Sequence, residues 1–199
     1  MLANFVPKVV GDFSRVYSNI EIQIRENSFM EMQDCLRNGT IDIGFMNEYV
    51  PKGFEFIPLF KDPACLIMRH DHPFASYERI PVSILNGCDF LMPLPGYDDI
   101  VNSVLQKEPF LPNIKHYVAS DTAVIEMVSN SLGVSVLSKL QIRQLPNSVI
   151  SKDFIGDFHR TLGIAVRSLR NAPPVLKEFI RVSQESARQI DENFESCQS

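Results

Sequence analysis

The sequence predicts an α/β protein of two lobes joined by two crossing strands, and three observations carry that prediction. The stretch from Ser28 to Phe45, SFMEMQDCLRNGTIDIGF, passes from a helix pattern through one glycine into a strand pattern. A second stretch, SDTAVIEMVSNSLGVSVL at 120–137, does the same. The extended runs at 56–68 and 159–166 lie where two connecting strands would pass between such units. Strands alternating with helices are the pattern of the α/β class.

In chain order, Leu2, Phe5, Val6, Val9, Val10, Phe13 and Val16 share one face of a helix, with Pro7 near enough to its start to be tolerated. Ile20, Ile22 and Ile24 alternate with polar residues, which predicts a strand over 20–25. Ser28 followed by Glu31 is a capping box: the hydroxyl accepts an early helix N–H and the carboxylate reaches back to the cap. Phe29, Met32, Cys35 and Leu36 then recur at helical spacing, and Gly39 supplies a left-handed stop. Ile41, Ile43 and Phe45 alternate with Asp42 and Gly44, giving another strand. Strand, helix, strand in this order is a right-handed crossover unit of a parallel sheet.

Phe54, Phe56 and Leu59 mark a further strand, and Ala64 to Met68 a separate apolar run. HDHPFA at 70–75 has turn chemistry, Pro81 to Leu85 reads as a single helical turn, and Phe90 to Met92 as a strand ending in the PLPGYDD loop. A helix is predicted over 98–107, with Ile100, Val101, Val104 and Leu105 inward, and a strand over 114–118. Ser120, Asp121 and Thr122 cap the next helix, whose Val124, Met127, Val128 and Leu132 share a face and which Gly133 should end. Val134 to Leu137 is a strand, 139–144 a short helix, 149–150 a strand fragment and 161–166 a strong strand. The last helix opens at Asn171, Pro173 and Pro174, carries Val175, Leu176, Phe179, Ile180 and Ser183 on one face, and gives way after Gln189 to a polar, frayed tail. The lobes are expected to divide as 1–67 with 160–199, and 68–159.

The composition narrows the function. The chain has 199 residues, 45% hydrophobic and 22% charged, the profile of an ordinary globular protein able to bury a core. A net charge of −5 offers no electrostatic footprint for nucleic acid, so any action at DNA requires another part. Cys35, Cys65, Cys88 and Cys197 form no C-x-x-C pair and meet no histidine at metal-ligand spacing, which favours free thiols in a reducing compartment over disulfides or zinc. There is no signal-peptide pattern and no run of eighteen apolar residues, so the chain reads as cytoplasmic, with no membrane partner. G-x-S-x-G, P-loop and dinucleotide fingerprints are all missing, and no catalytic residue, metal or cofactor is assigned.

Taken together, LANFVPKVVGDFSRVY, NIEIQIREN, the capped helix, NGTIDIGF, FEFIPLFKD, DHPFA and SDTAVIEMVSNSLGVSVLS resemble, in order and spacing, the effector-binding domain of LysR-type transcriptional regulators. The resemblance covers about residues 2–183. It implies a type 2 periplasmic-binding-protein-like fold with two Rossmann-like lobes and a cleft for a small effector. It further implies a homodimer, to which Val9, Val10 and Phe13 of the first helix are candidate contributors, although core packing explains the same residues equally well. Family members carry a winged helix-turn-helix, a linker helix and a first strand before the helix that here starts at Leu2, so the natural protein is expected to be longer. Ser138 stands where the family often has proline, an exchange expected to be neutral.

Ligands in open α/β sheets bind beyond the carboxyl ends of strands, where helix N-termini present free N–H groups. On that basis the effector-contacting candidates are Ser28, Asn47, Ser120, Asp121 and Thr122, together with Leu94, Pro95 and Gly96 of the loop after the 90–92 strand. Facing helix ends suit a carboxylate or an amino acid, although Asp121 opposes a purely anionic ligand unless its own side chain is turned to the helix amides. Each serine and threonine also has a purely local use as a helix cap. His70 and His72 flank Asp71 in a polar turn and read as solvent-facing rather than as metal ligands. The rival readings are a transporter's solute-binding protein and an enzyme on the same two-lobed fold, such as an aromatic-pathway dehydratase.

Overall fold

The computed structural model of the chain describes residues 5–94, 100–106, 108–142 and 144–196, with side chains as far as Gln189. The chain forms two units, one combining 2–61 with 161–199 and the other running Asp62–Arg160. Two strands, β2 (Glu55–Arg69) and β7 (His159–Val166), each pass from one unit into the other.

In the first unit, helix α1 (Phe5–Val16) buries Phe5, Val9 and Phe13. The Phe13 ring lies edge-on to Phe179 at 5.1 Å, on helix α5 (Pro174–Ser196), and Phe5 meets Phe45 and Phe60. Asp12 ties the two helices together, accepting from Lys8, Arg15 and the Ser186 hydroxyl. Val9 and Phe13 therefore belong to the core and are not free to form a subunit contact.

Helix α2 (Phe29–Asn38) has both ends legible in the sequence. Glu31 N–H donates to Ser28 Oγ, and Ser28 N–H donates to a Glu31 carboxylate oxygen at 2.9 Å. Gly39 closes the helix at φ 72°, its N–H reaching the carbonyls of the last turn. Strand β1 (Gly44–Asn47) follows and carries Met46 and Phe45 into this unit's core. A Cβ on Gly44 would come within 2.6 Å of the Met32 sulfur, so glycine is what lets α2 lie on β1.

The strand order here is β1, β7, β2, and β1 runs antiparallel to β7 with Phe45 opposite Ile164. The predicted parallel crossover is thus corrected. Residues 20–25 are not a strand and carry no regular secondary structure, and Ile20 and Ile24 are exposed. Alternation alone does not make a strand: a strand exists only as one side of a ladder, and these residues find no ladder partner among the described residues.

In the second unit, the latter part of β2 is the middle strand. It pairs antiparallel with both β5 (Ser135–Ser138) and β6 (Val149–Asp153), placing Cys65 opposite Leu137 on one side and Asp153 on the other. The 54–59 and 64–68 runs are parts of the one extended run expected over 56–68. Pro58 and Pro63 lie within one continuous strand, because proline fits extended backbone and removes only one donor. Strands β3 (Asp89–Pro93) and β4 (Asn113–Val118) form a separate parallel pair, with Phe90 opposite Ile114. Helix α3 (Ile100–Leu105) buries its four apolar residues against Leu66, Met68 and Phe90, and α4 (Asp121–Ser129) packs Val124, Ile125 and Val128 on Cys65, Leu91 and Leu137.

Several boundaries differ from expectation: β1 opens at Gly44 rather than Ile41, and α3 ends at Leu105, short of the expected 107. Helix α4 ends at Ser129 with Asn130 as its C-cap, so Leu132 lies beyond it and is exposed. Gly133 has a different purpose: at φ 142° a Cβ there would come within 2.6 Å of the Asp89 carbonyl oxygen, where Val134 bridges to β3. Residues 139–142 form hydrogen-bonded turns rather than a helix. Helix α5 continues through Ser196, past the predicted fraying point at Gln189.

Candidate functional site

The parallel pair β3–β4 brings two strand ends together in the second unit. Pro93 lies opposite Val118, and the next residue, Leu94, donates its N–H to the Val118 carbonyl at 2.9 Å. Two residues beyond Val118 the chain turns into α4. Ser120 caps it by accepting from Ala123 N–H, and its own carbonyl receives Val124 N–H at 2.9 Å. Ser120, Thr122 and Leu94 are exposed and Asp121 is half-buried. Helix α4 is long enough to carry a dipole, and its positive end begins, at the Ser120 cap, two residues after the end of β4. Pro95 and Gly96, predicted to extend this loop toward a ligand, lie outside the described residues.

The Asp121 carboxylate is already engaged: it accepts from the Gln141 side-chain amide at 2.9 Å. The Gln141 oxygen in turn accepts from Ser138 N–H at 2.7 Å. The Ser138 hydroxyl accepts from Arg160 at 3.0 Å, and Arg160 donates twice more, from Nε and Nη2, to the Asp62 carboxylate. The other Asp62 oxygen accepts from Leu140 N–H at 3.0 Å. These groups, from β2, β5, β7 and the turn after β5, form one network, with Asp62 fully buried and Arg160 2% exposed.

None of these network residues except Asp121 was nominated from the sequence. The available signal was a charge placed inside an apolar strand, Asp62 between Phe60 and Cys65 and Arg160 ahead of LGIAV, because a buried charge has to be paired. Ser138 is also not interchangeable with proline here, since it uses both its N–H and its hydroxyl.

Ser28 and Asn47 belong to the other unit. Ser28 is exposed and spends its hydroxyl and N–H on the capping box, and the same contacts hold the Glu31 carboxyl below its usual range. Asn47 is 4% exposed and its side-chain oxygen accepts Tyr49 N–H, closing the turn after β1. Beside it, the Glu48 carboxylate accepts Thr161 N–H at 2.7 Å at the start of this unit's part of β7.

The HDH turn has structural partners. Arg69 grips Asp71 with two N–H groups, which, with the positive charge, brings the Asp71 carboxyl down to about 2. His70 Nδ1 bonds the Ser148 carbonyl, and His72 Nδ1 accepts Phe74 N–H to cap a 3-10 turn at Pro73–Ser76. Among the described residues no group of three histidines, cysteines or carboxylates is arranged for a metal ion. Cys35, Cys65 and Cys88 carry free thiols; burial pushes Cys65 up to about 12 and Cys88 to about 11, which keeps both as unreactive thiols at neutral pH. Among the described residues no helix is long and apolar enough to cross a membrane.

The LysR substrate binding domain model matches residues 1–188. The chain belongs to this family. Among curated relatives, the LysR-family chain is 26% identical over 185 residues to the uncharacterized HTH-type transcriptional regulator YvbU of Bacillus subtilis, covering 92% of this chain and 63% of that protein. It is 23% identical over 188 residues to the Hca operon transcriptional activator HcaR of Escherichia coli, again 92% of this chain and 63% of that one. The chain thus spans less than two thirds of the length of these relatives. Of solved structures, the reduced OxyR regulatory domain of Pseudomonas aeruginosa aligns at TM-score 0.77 and 26% identity, covering 93% of this chain and 91% of that one. The Synechocystis CcmR regulatory domain in complex with 2-PG aligns at TM-score 0.83 and 20% identity, covering 94% and 92%. The effector binding domain of QuiR in complex with shikimate aligns at 0.80 and 23%, covering 94% and 92%. The fold of this LysR-family domain is the two-lobed, periplasmic-binding-protein-like one of these regulatory domains.

Proposed function

We propose that this chain is the effector-sensing part of a LysR-type transcriptional regulator, taking a small molecule at the carboxyl ends of β3 and β4 and controlling a DNA-binding part carried elsewhere in a longer protein. The observation that supports this reading most is the set of exposed donors at one place in the second unit: the Ser120 and Thr122 hydroxyls and the first turn of α4, beside the strand end at Val118 and Leu94. The domains of the same fold from CcmR and QuiR are in complex with 2-PG and shikimate. Ser28 and Asn47, in the first unit, are proposed in their own right as effector-contacting residues.

The Asp121 carboxylate accepts from the Gln141 side-chain amide, a neutral donor that fixes its position without cancelling its charge. A small carboxylate, hydroxy acid or amino acid is the ligand class proposed. Control of DNA binding would follow from a ligand that binds one arrangement of the chain better than another, and by no more than that difference in affinity. A homodimer and a cytoplasmic location are proposed with the same reading, as is the absence of catalysis.

A thermal-shift screen against small carboxylates, amino acids and aromatic acids tests the proposal, since a ligand that binds only the native state raises its stability with concentration. Any hit is then titrated against Thr122→Val and Ser120→Ala. Weakening of about tenfold by either variant, with folding retained, is the expected result. Unchanged affinity in both would remove α4 from the site.

A further inference from the structure

The buried Asp62–Arg160 pair is not accounted for by stability alone, because taking two charges out of water costs several kcal/mol per ion and an apolar pair of similar volume often does as well. Its position is specific. Asp62 is the first residue of the second unit on β2 and Arg160 the last on β7, so the pair joins the two strands where each changes unit. From there, bonds lead outward in one direction. Arg160 holds the Ser138 hydroxyl at the end of β5, Ser138 N–H holds the Gln141 oxygen, and the Gln141 amide holds Asp121, the first residue of α4. Leu140 N–H, bonded to Asp62, fixes the turn that carries Gln141.

Gln141 is a link whose side chain works in both directions. Ser138 N–H requires an acceptor and the Asp121 carboxylate requires a donor, and a single amide side chain supplies both, which fixes its orientation. Glutamate could satisfy only the first and would place a second carboxylate against Asp121. Leucine could satisfy neither. We propose that Gln141 is a coupling residue that transmits the arrangement of the strands at Asp62 and Arg160 to the first turn of α4. This conformational device rests on reading that turn as the effector end, and it is the means by which an event there would reach the strands that connect the units. Coupling of this kind is reciprocal: what tightens one end tightens the other.

Residue-resolved native-state hydrogen exchange on this domain tests the proposal with no ligand present. The reporters are the Ala123 and Val124 amides, both bonded to Ser120 in the first turn of α4. Gln141→Leu should raise their exchange about tenfold while leaving the core amide of Val128 unchanged. Ser138→Ala, which removes only the hydroxyl held by Arg160, should raise exchange at the same two amides by a smaller factor, and this effect should vanish in the Gln141→Leu background. Equal effects of Ser138→Ala with and without Gln141, or no change in Gln141→Leu, would overturn the coupling. If Gln141→Leu does not fold, Gln141→Asn, too short to span both partners, replaces it with the same expectation. Loss of coupling would leave the ligand site standing, and failure to find a ligand would leave the exchange result intact.

Discussion

Arg160 donates from Nη2 to the Asp62 carboxylate at 2.8 Å, and neither side chain is reached by water to any useful extent. Breaking such a pair from one side strands the other charge in the interior, which costs about 3–5 kcal/mol. Asp62→Leu and Arg160→Met are each expected to lose stability in that range by urea denaturation. The double variant Asp62→Leu with Arg160→Met should lose clearly less than the two single losses added, because no charge is then left unpaired.

The capping box at α2 predicts a smaller, non-additive effect. Ser28→Ala removes the acceptor for Glu31 N–H and should cost about 1 kcal/mol. Glu31→Ala should cost a similar amount, and the pair together little more than either alone, measured by thermal unfolding. Full additivity would show that the two halves of the box act independently.

Gly133 and Gly39 both lie at positive φ, yet they should respond differently to alanine. At Gly39 the nearest atoms to a new Cβ belong to the end of the flexible Arg167 side chain, so only the left-handed backbone cost of about 1–2 kcal/mol is expected. At Gly133 the obstacle is the Asp89 backbone carbonyl, which cannot swing away without disturbing β3. Gly133→Ala is therefore expected to be the more destabilising of the two by denaturant midpoint, with loss of hydrogen-exchange protection in β3.

Asp71 gives a pH prediction with a definite sign. Its carboxyl is lowered from 3.8 to about 2, chiefly by hydrogen bonding to Arg69. A carboxyl whose folded pKa is depressed contributes stability that is fully present above 3.8 and fades as pH falls toward 2. Carboxyl NMR titration of Arg69→Leu should show the Asp71 midpoint rising to the ordinary aspartate range. Wild type and Asp71→Asn should differ in stability at pH 6 and converge near pH 2.

The local signals in the sequence were read well where the cause is local. Ser28, Glu31 and Gly39 specify both ends of α2 through atoms a few residues apart, and Ser120 specifies the start of α4 in the same way. Alternation at 20–25 misled, because a strand requires a partner that the segment itself does not contain. Gly133 was read as a helix stop, whereas its backbone is needed for close approach to Asp89, forty-four positions away along the chain.

By itself the sequence determined the α/β class, the family, most helices and strands, and the exposed serine and threonine at the start of α4, since each of these depends on spacing or on neighbours in the chain. Tertiary structure alone decided that β1 and β7 run antiparallel, and that Asp62, Ser138, Gln141, Arg160 and Asp121 form a single bonded chain. The physical reason is that a buried charge announces only that it needs a partner. Which residue, up to 98 positions distant, answers that need is fixed by how the strands pair, and no local pattern contains it.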